Sequence, residues 1–446
     1  MSFPRYPEYK DSGVEWLGQV PAHWEVKPLK YVVALRSGGT PSKANVDFWD
    51  GDVPWASSKD LKCESLADTS EHITQRAIDE GAADLVPPGS LMIVVRGMIL
   101  AHTFPVTKAL VPMAINQDLK ALTPGPSLQT DYLAWLLRGL SRESLSRTDE
   151  AGHGTKVLRM DAWTSMPMPL CSPAEQSIIT TFLDHETAKI DALMAEQQRL
   201  IDLLKEKRQA VISHAVTKGL NPDAPMKHSG IDWLTNIPAH WSMKRLKHIS
   251  PFVTVGIVVN PSSFVSDEGF PFIYGGNIRE GVIDWEGSRR IDANSVDAQP
   301  KTRLNAGDLL TVRVGAPGVT AVVPPECEGG NCASVMLIRR GDFNSHWLCY
   351  TMNTRTVRFQ VEVVQYGAAQ EQFNISHAVN FWMPTPPRDE QDSIVAFLDA
   401  ETARLDALTA AAQSAIDLLR ERRAALISAA VTGQIDVRHL RPSESA

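Results

Sequence analysis

The chain of 446 residues has no run of about 18 uncharged apolar residues, which argues against a transmembrane helix. Its first residues, MSFPRYPEYKDSG, lack the charged head and apolar stretch of a secretory signal. Cysteine is scarce: Cys63, Cys171, Cys327, Cys332 and Cys349 are odd in number and form no CxxC pair. A zinc ribbon, another metal site or a disulfide framework is therefore disfavoured, and a reducing, cytoplasmic compartment fits best. Positive charge is also short. The formal net charge is −8, with a pI near 5.9. That excludes a free-standing, strongly basic nucleic-acid binder, though not a reader whose phosphate contacts come partly from partner subunits.

Catalytic signatures are missing as well. There is no GxxxxGK[ST] phosphate loop, and GHGTK at 152–156 has the wrong spacing for one. No HExxH, no GxSxG and no aromatic-flanked Asn/Asp-Pro-Pro motif occurs. The nuclease-like pair Glu25 and Lys27 lies in a repeated segment whose second copy has Ser242 at the acidic position. The expectation is a chain without enzymatic activity of its own.

What the chain does have is itself, twice. GVEWLGQVPAHWEVKPLK (13–30) and GIDWLTNIPAHWSMKRLK (230–247) are identical at ten of eighteen positions, at an offset of 217. A second repeat, EQSIITTFLDHETAKIDALMAEQQRLIDLLKEKRQAVISHAVT (175–217), aligns without a gap to 390–432 at an offset of 215. Constant ends thus enclose a divergent middle of nearly constant length in each half, the mark of an internal duplication. The expected division is 1–30 for an N-terminal segment with the first box, 31–172 for the first variable domain and 173–217 for a long helix. Then come 218–247 for a linker with the second box, 248–386 for the second variable domain, 387–433 for the distal helix, and 434–446 for a tail. The middles read as mixed α/β: GSLMIVVRG (89–97) and GDLLTVRVG (307–315) align as β-rich runs ending in glycine.

The repeated segments near 180 and 400 have no internal proline or glycine, and Pro173 and Pro387 stand where a helix start tolerates them. Apolar residues at spacings of three and four suggest a coiled-coil seam. The seam is assigned to Leu183, Ile190, Leu193, Leu200, Leu204 and Val211 in the first copy. In the second it is Leu398, Leu405, Leu408, Leu419 and Leu426, with Ala412 and Ala415 filling the register. Each helix of roughly 40 residues would be about 60 Å long. Two such helices in one duplicated chain suggest an antiparallel pair, with each helix packing on its own domain as the alternative. The predicted fold class is α+β: two mixed α/β domains joined by two long antiparallel coiled-coil helices with pseudo-twofold symmetry.

His23 and His240 both stand in PAHW. A general acid or base is one reading, and a packed, hydrogen-bonded turn residue is the favoured one, since no acidic partner is fixed beside them in sequence. Trp16, Trp24, Trp233 and Trp241 read as core rather than as base-stacking platforms. Side chains able to read base edges gather near predicted loops of the divergent middles. In the first half they are Thr40, Ser42, Lys43, Ser57, Ser58, Lys59, Arg96, Asn116, Gln117 and Lys156. In the second they are Tyr274, Asn277, Arg279, Arg313, Asn331, Gln370 and Gln372.

The doubled box, each copy leading a variable domain and then an EQxxIxxFLDxET…IDxLL…R…LIxxxVT helix, resembles the specificity subunits of type I restriction-modification systems. The resemblance spans essentially the whole chain. It implies a non-catalytic subunit that reads a split, asymmetric site on double-stranded DNA through two target recognition domains, 31–172 and 248–386. The paired helices would act as a ruler and as the dock for two methyltransferase subunits. Restriction subunits with translocase and nuclease activities would join them. S-adenosylmethionine, ATP and Mg would belong to those partners, and this chain would bind no cofactor and no membrane. A stand-alone DNA-binding or decoy protein on the same scaffold is the alternative, and a hydrolase built on His23 and His240 is a second.

Overall fold

A computed structural model of the chain describes residues 3–365 and 372–440. The chain forms two compact units, one of residues 1–197 with 414–446 and one of residues 198–413. Both units draw on both long helices, Pro173–Lys218 and Arg388–Val431, which the unit boundaries divide near their middles. Proline at the first turn of the first helix needs no backbone donor there, and neither helix contains another proline. Among the described residues no helix is long and apolar enough to cross a membrane.

The first unit holds a five-stranded sheet in the order Val33–Ser37, Leu119–Pro124, Leu91–Val94, Val106–Ala109, Ser65–Leu66. A four-stranded sheet lies beside it in the order Glu71–Ile73, Trp49–Ala56, Met113–Ile115, Leu85–Val86. The strand Leu91–Val94 is buried on both faces, as its unbroken apolar run requires. The second unit repeats the plan. Its four-stranded sheet runs Val253–Val255, Met336–Ile338, Leu309–Thr311, Thr320–Val322, and its three-stranded sheet runs Arg289–Ile291, Phe270–Ile273, Asn331–Cys332. Both units share an equivalent parallel pair: Trp55 and Ala56 face Ala114 and Ile115, and Phe272 and Ile273 face Asn331 and Cys332. The β-rich runs aligned by sequence thus occupy equivalent strands of an α+β fold.

Each repeated box forms a short hairpin and then a strand against the proline-containing stretch that precedes a long helix. Glu25–Pro28 pairs with Pro167–Leu170, and Ser242–Arg245 with Trp382–Thr385. Two-stranded ladders leave free edges, so the prolines can sit without an unmade ladder bond.

Within each unit the two long helices run antiparallel. In the first, Arg423 reaches Asp191; in the second, Arg208 reaches Asp406 at 3.3 Å. The two arginines are related by the repeat offset of 215, as are the two aspartates. The seam needs one correction. Positions protected from solvent alternate by four and three: 183, 187, 190, 194, 197, 201, 204, 208, 211, 215 in the first helix. The second follows the same phase, 398, 402, 405, 409, 412, 416, 419, 423, 426, 430. Leu183, Ile190, Leu204, Val211, Leu398, Leu405, Leu419 and Leu426 lie on it. Leu193, Leu200 and Leu408 do not, and stand 52%, 42% and 47% exposed. Their neighbours Met194, Ile201 and Thr409 take the seam positions. The heptad phase set by Leu183 and Ile190 puts the next contact four residues on, and a leucine one position early points outward.

Candidate nucleic-acid interface and its frame

The frame is built on one carboxylate per unit. Glu175, in the first turn of the first long helix, is almost wholly buried. It accepts from the Tyr6 hydroxyl (2.8 Å) and the Trp24 indole (3.2 Å), and His23 Nε2 lies 2.9 Å from its other oxygen. In the second unit Glu390 accepts from the Trp241 indole at 2.7 Å and is bonded to His240. So both histidines do have an acidic partner, 152 and 150 residues away in sequence, against the expectation from the flanking residues. The pairing ties box to helix, and each imidazole meets a carboxylate that the adjacent tryptophan also holds. Trp24 and Trp241 are buried core, as expected; Trp16 is partly buried and Trp233 is 36% exposed.

The next residue in each repeat completes the frame. Gln176 accepts from the Gln129 amide and donates to the carbonyls of Ser127 and Cys171. Gln391 accepts from the Asn344 amide and donates to Pro386. Two helical turns on, Asp184 accepts from Trp135 and Asp399 from Tyr350, at 2.8 and 2.7 Å. These anchors escape a reading confined to each segment. Their signal was a glutamate, a glutamine and an aspartate retained at the same place in both copies of a surface-rich helix.

In the first unit, candidate reading residues from distant parts of the sequence meet at one sheet end. Gly38 packs so closely that a Cβ there would fall 2.1 Å from the Ile115 carbonyl, so only glycine brings the 38–40 loop onto this strand end. Gly39 donates to Ile115, Asn116 donates to Ala56, and the Thr40 hydroxyl is bonded to Gln117. Arg96 is exposed and donates from its backbone to Asp118; its strand pairs Gly97 with Lys156. Thr40, Ser57, Arg96, Asn116, Gln117 and Lys156 therefore share one edge. Ser57 and Asn116 are mostly buried and shape turns: Ser57 donates to Asp60, and Asn116 accepts from the Asp118 amide. Burial works against charge on Asp60, but hydrogen bonds from Ser57 and Ser70 outweigh it and hold this carboxyl below its ordinary value. Ser58 and Lys59 lie in the same turn, with Lys59 exposed. Ser42 and Lys43 lie apart, around Trp49: the Ser42 carbonyl accepts from its indole and Lys43 sits 5.5 Å over its ring.

The second unit repeats the arrangement with other side chains. A Cβ at Gly256 would fall 2.5 Å from the Cys332 carbonyl. The Tyr274 amide donates to Asn277, the same turn that Asp60 closes in the first unit. Arg279 is exposed, with one N–H donated to the Gly276 carbonyl. Arg313 donates to the Phe373 carbonyl, and Gln372 forms a bridge with Val314. Gln370 lies outside the described residues. Asn331 is corrected: it is fully buried, and its amide is spent on the Gln299 carbonyl and the Cys332 amide, so it offers no edge to a ligand.

The chemistry elsewhere is inert. All five cysteines are free; burial pushes the thiols of Cys171, Cys332 and Cys349 up to about 12 and that of Cys327 to about 11, so none of these four is a ready nucleophile, while Cys63 is exposed. Among the described residues no group of three or more His, Cys, Asp or Glu is placed to hold a metal ion.

No protein-family model matches the chain. It is 29% identical over 197 residues to the type I restriction enzyme EcoR124I/EcoR124II specificity subunit of Escherichia coli, an alignment covering 44% of this chain and 46% of that protein. It is 24% identical to the MjaIX specificity subunit of Methanocaldococcus jannaschii, over 62% of each chain. The chain thus spans about half to three-fifths of the length of these two relatives. With the EcoDI specificity subunit of Escherichia coli the identity is 21%, over 94% of this chain and 90% of that one. A solved chain from a study of complex assembly and conformational transition of the type I R-M system superposes with a TM-score of 0.71 at 17% identity, covering 92% of this chain and 98% of that one. The HsdS subunit from Thermoanaerobacter tengcongensis gives 0.53 at 16% identity, over 93% and 98%. At these identities the structural likeness carries the fold.

Proposed function

We propose that this chain, which belongs to the family of type I restriction-enzyme specificity subunits, reads a two-part DNA sequence for a modification and restriction complex. The observation that carries the reading is the combination of an identical frame with dissimilar readers. Glu175 and Glu390, Gln176 and Gln391, Asp184 and Asp399 hold the same places, while the edges they support carry Thr40, Arg96 and Gln117 in one unit and Tyr274, Arg279 and Arg313 in the other. Such a frame presents two readers in fixed phase along a duplex whose turn is about 34 Å, and their difference makes the site asymmetric.

On this reading, residues 31–172 and 248–386 are the recognition domains, and the helices of 173–217 and 387–433 set the unread gap. The exposed candidates contact phosphates and base edges, while Ser57 and Asn116 shape the turns that carry them and the buried Asn331 takes no part. The chain has no catalytic role. Two methyltransferase subunits, which bring S-adenosylmethionine, and restriction subunits, which bring ATP and Mg, supply the chemistry in the cytoplasm, together with much of the positive charge that this acidic chain lacks.

Selection from randomised duplex DNA, with the chain co-expressed with the methyltransferase of its own locus, tests this. Two short enriched blocks separated by a fixed unspecified gap are expected. A single contiguous motif would leave only one reader, and no enrichment would move the chain to the decoy reading.

A further inference from the structure

The duplication provides an internal control for charge. In the first box the strand Glu25–Pro28 and the turn after it carry Glu25, Lys27, Pro28, Lys30 and Tyr31, and Lys27 is paired with Glu25. At the equivalent places the second box carries Ser242, Lys244, Arg245, Lys247 and His248, with no acidic residue. Opposite the strand, Trp382 replaces Pro167. Lys244, Lys247 and His248 are exposed, and the Arg245 guanidinium stacks 4.8 Å from the centre of the Trp382 ring, with one N–H on Asn380. Lys244, Arg245, His248 and Trp382, together with Met243, line an open depression of about 410 Å³, and Lys247 lies next to His248 in the chain. Among the described residues none of Lys244, Arg245, Lys247 and His248 has a carboxylate within ion-pair distance.

We infer that this basic–aromatic strip, Lys244, Arg245, Lys247, His248 and Trp382, binds the phosphodiester backbone of duplex DNA beside the second reader and without regard to sequence. The inference rests on the DNA-reading role for its setting and goes beyond it in placing an anchor on the frame rather than on a reading edge. Chain geometry brings the strip within reach of the same duplex. The Lys247 amide donates to the Val379 carbonyl, and the Phe373 amide to the Arg313 carbonyl. Six residues separate 373 from 379, so the two contacts lie within about 22 Å, less than a duplex turn. Ammonium groups and a stacked, partly immobilised guanidinium suit phosphate oxygens, and in a chain of net charge −8 an uncompensated cluster of this kind is a local exception. At the equivalent place in the first box Lys27 is paired with Glu25, and Lys30 lies 5.4 Å over the Tyr31 ring with a hydrogen bond to Ser165.

The test uses the full chain in its complex with the methyltransferase. Binding to the selected duplex and to an unrelated 40-mer duplex is measured from about 50 to 200 mM salt. For Lys244→Gln/Lys247→Gln the slope of log K against log salt is expected to fall by about 2, with equal loss on both duplexes and an unchanged sequence preference. The mirror variant Lys27→Gln/Lys30→Gln is expected to leave the slope unchanged. A selective wild-type complex whose variant keeps the full slope would overturn the strip while leaving the reader intact. The same outcome with lost methyltransferase retention would make the strip a protein contact instead. Salt-dependent binding without any sequence preference, weakened by the variant, would retain the strip and sink the reader. No duplex binding by the wild type would remove both.

Discussion

Arg423 and Arg208 stand at the same place in the repeat and are used differently. Arg423 holds Asp191 through two contacts of 2.9 and 3.1 Å, and also reaches Glu64 of the first variable region at 2.7 Å. Glu64 takes a second arginine, Arg138, at 3.0 Å, and both guanidinium groups lie over Trp135. Arg208 pairs with Asp406. Glu280 of the second variable region lines the same cavity of about 200 Å³ as Arg208, but its ion pair is with Arg358. One frame position therefore clamps the first variable region to the helices and leaves the second without the equivalent clamp. A duplicated frame conserves where a residue sits and leaves free what it holds.

The comparison can be broken at four points. The largest effect is expected at the buried carboxylates. Glu175→Ala strands two buried donors, the Tyr6 hydroxyl and the Trp24 indole, and frees the half-exposed His23, and should cost about 3 kcal/mol. Glu390→Ala, with two donors and a half-exposed carboxylate, should cost about 1 kcal/mol, as read by urea unfolding. Equal losses would mean that the two frames are energetically alike. Next comes the seam: Ile201→Ala should cost about 2 kcal/mol, and Leu200→Ala should stay within about 0.5 kcal/mol, although the two are neighbours. The reverse order would restore the register read from leucines alone.

A smaller difference is expected between Arg423→Ala, at about 1–2 kcal/mol, and Arg208→Ala, below about 1 kcal/mol. Limited proteolysis should also cut the first variable region faster in Arg423→Ala. The smallest is a pH effect. The Ser57 turn is closed by the Asp60 carboxylate and the Tyr274 turn by the neutral Asn277 amide. Because the folded value of Asp60 is depressed, its contribution is complete above the ordinary carboxyl value and is lost as pH falls through the folded one. Protection of the Ser57 and Ser70 amides from exchange, taken relative to the intrinsic rate at each pH, should therefore fall on acidification, while that of Tyr274 follows only the global trend. Parallel behaviour would show that the turn does not depend on the charge.

Much of this was legible in the sequence, for reasons that also explain the misses. Strands such as Leu91–Val94 and the long helices announce themselves through local periodicity, and the duplication located the frame. Leu193, Leu200 and Leu408 look like seam residues by identity but stand off its phase, whereas Thr187, Thr402 and Thr409 are polar and still lie inward. His23 and Glu175 were each visible as repeated residues, but their contact spans 152 positions and has no local signature. Asn331 looked like a reader because its side chain has paired donor and acceptor groups, which are as useful for closing a buried turn as for reading a base.

The two ion pairs between the long helices carry a last consequence, for how such a chain can change over generations. Asp191 and Arg208 are separated by 17 residues, and Asp406 and Arg423 by 17 as well. An insertion in one helix between these marks would leave one pair unmet whichever way the helices slid. Length is thus inherited jointly: a viable change must be written into both copies, and in whole heptads if the phase is to survive, which is about 10.5 Å at a time. Copying one half onto the other achieves that in a single event, whereas point mutation of the reading edges needs no such agreement. Helix length in such a lineage should evolve in concert and by jumps, and the edges of the variable regions independently and by degrees.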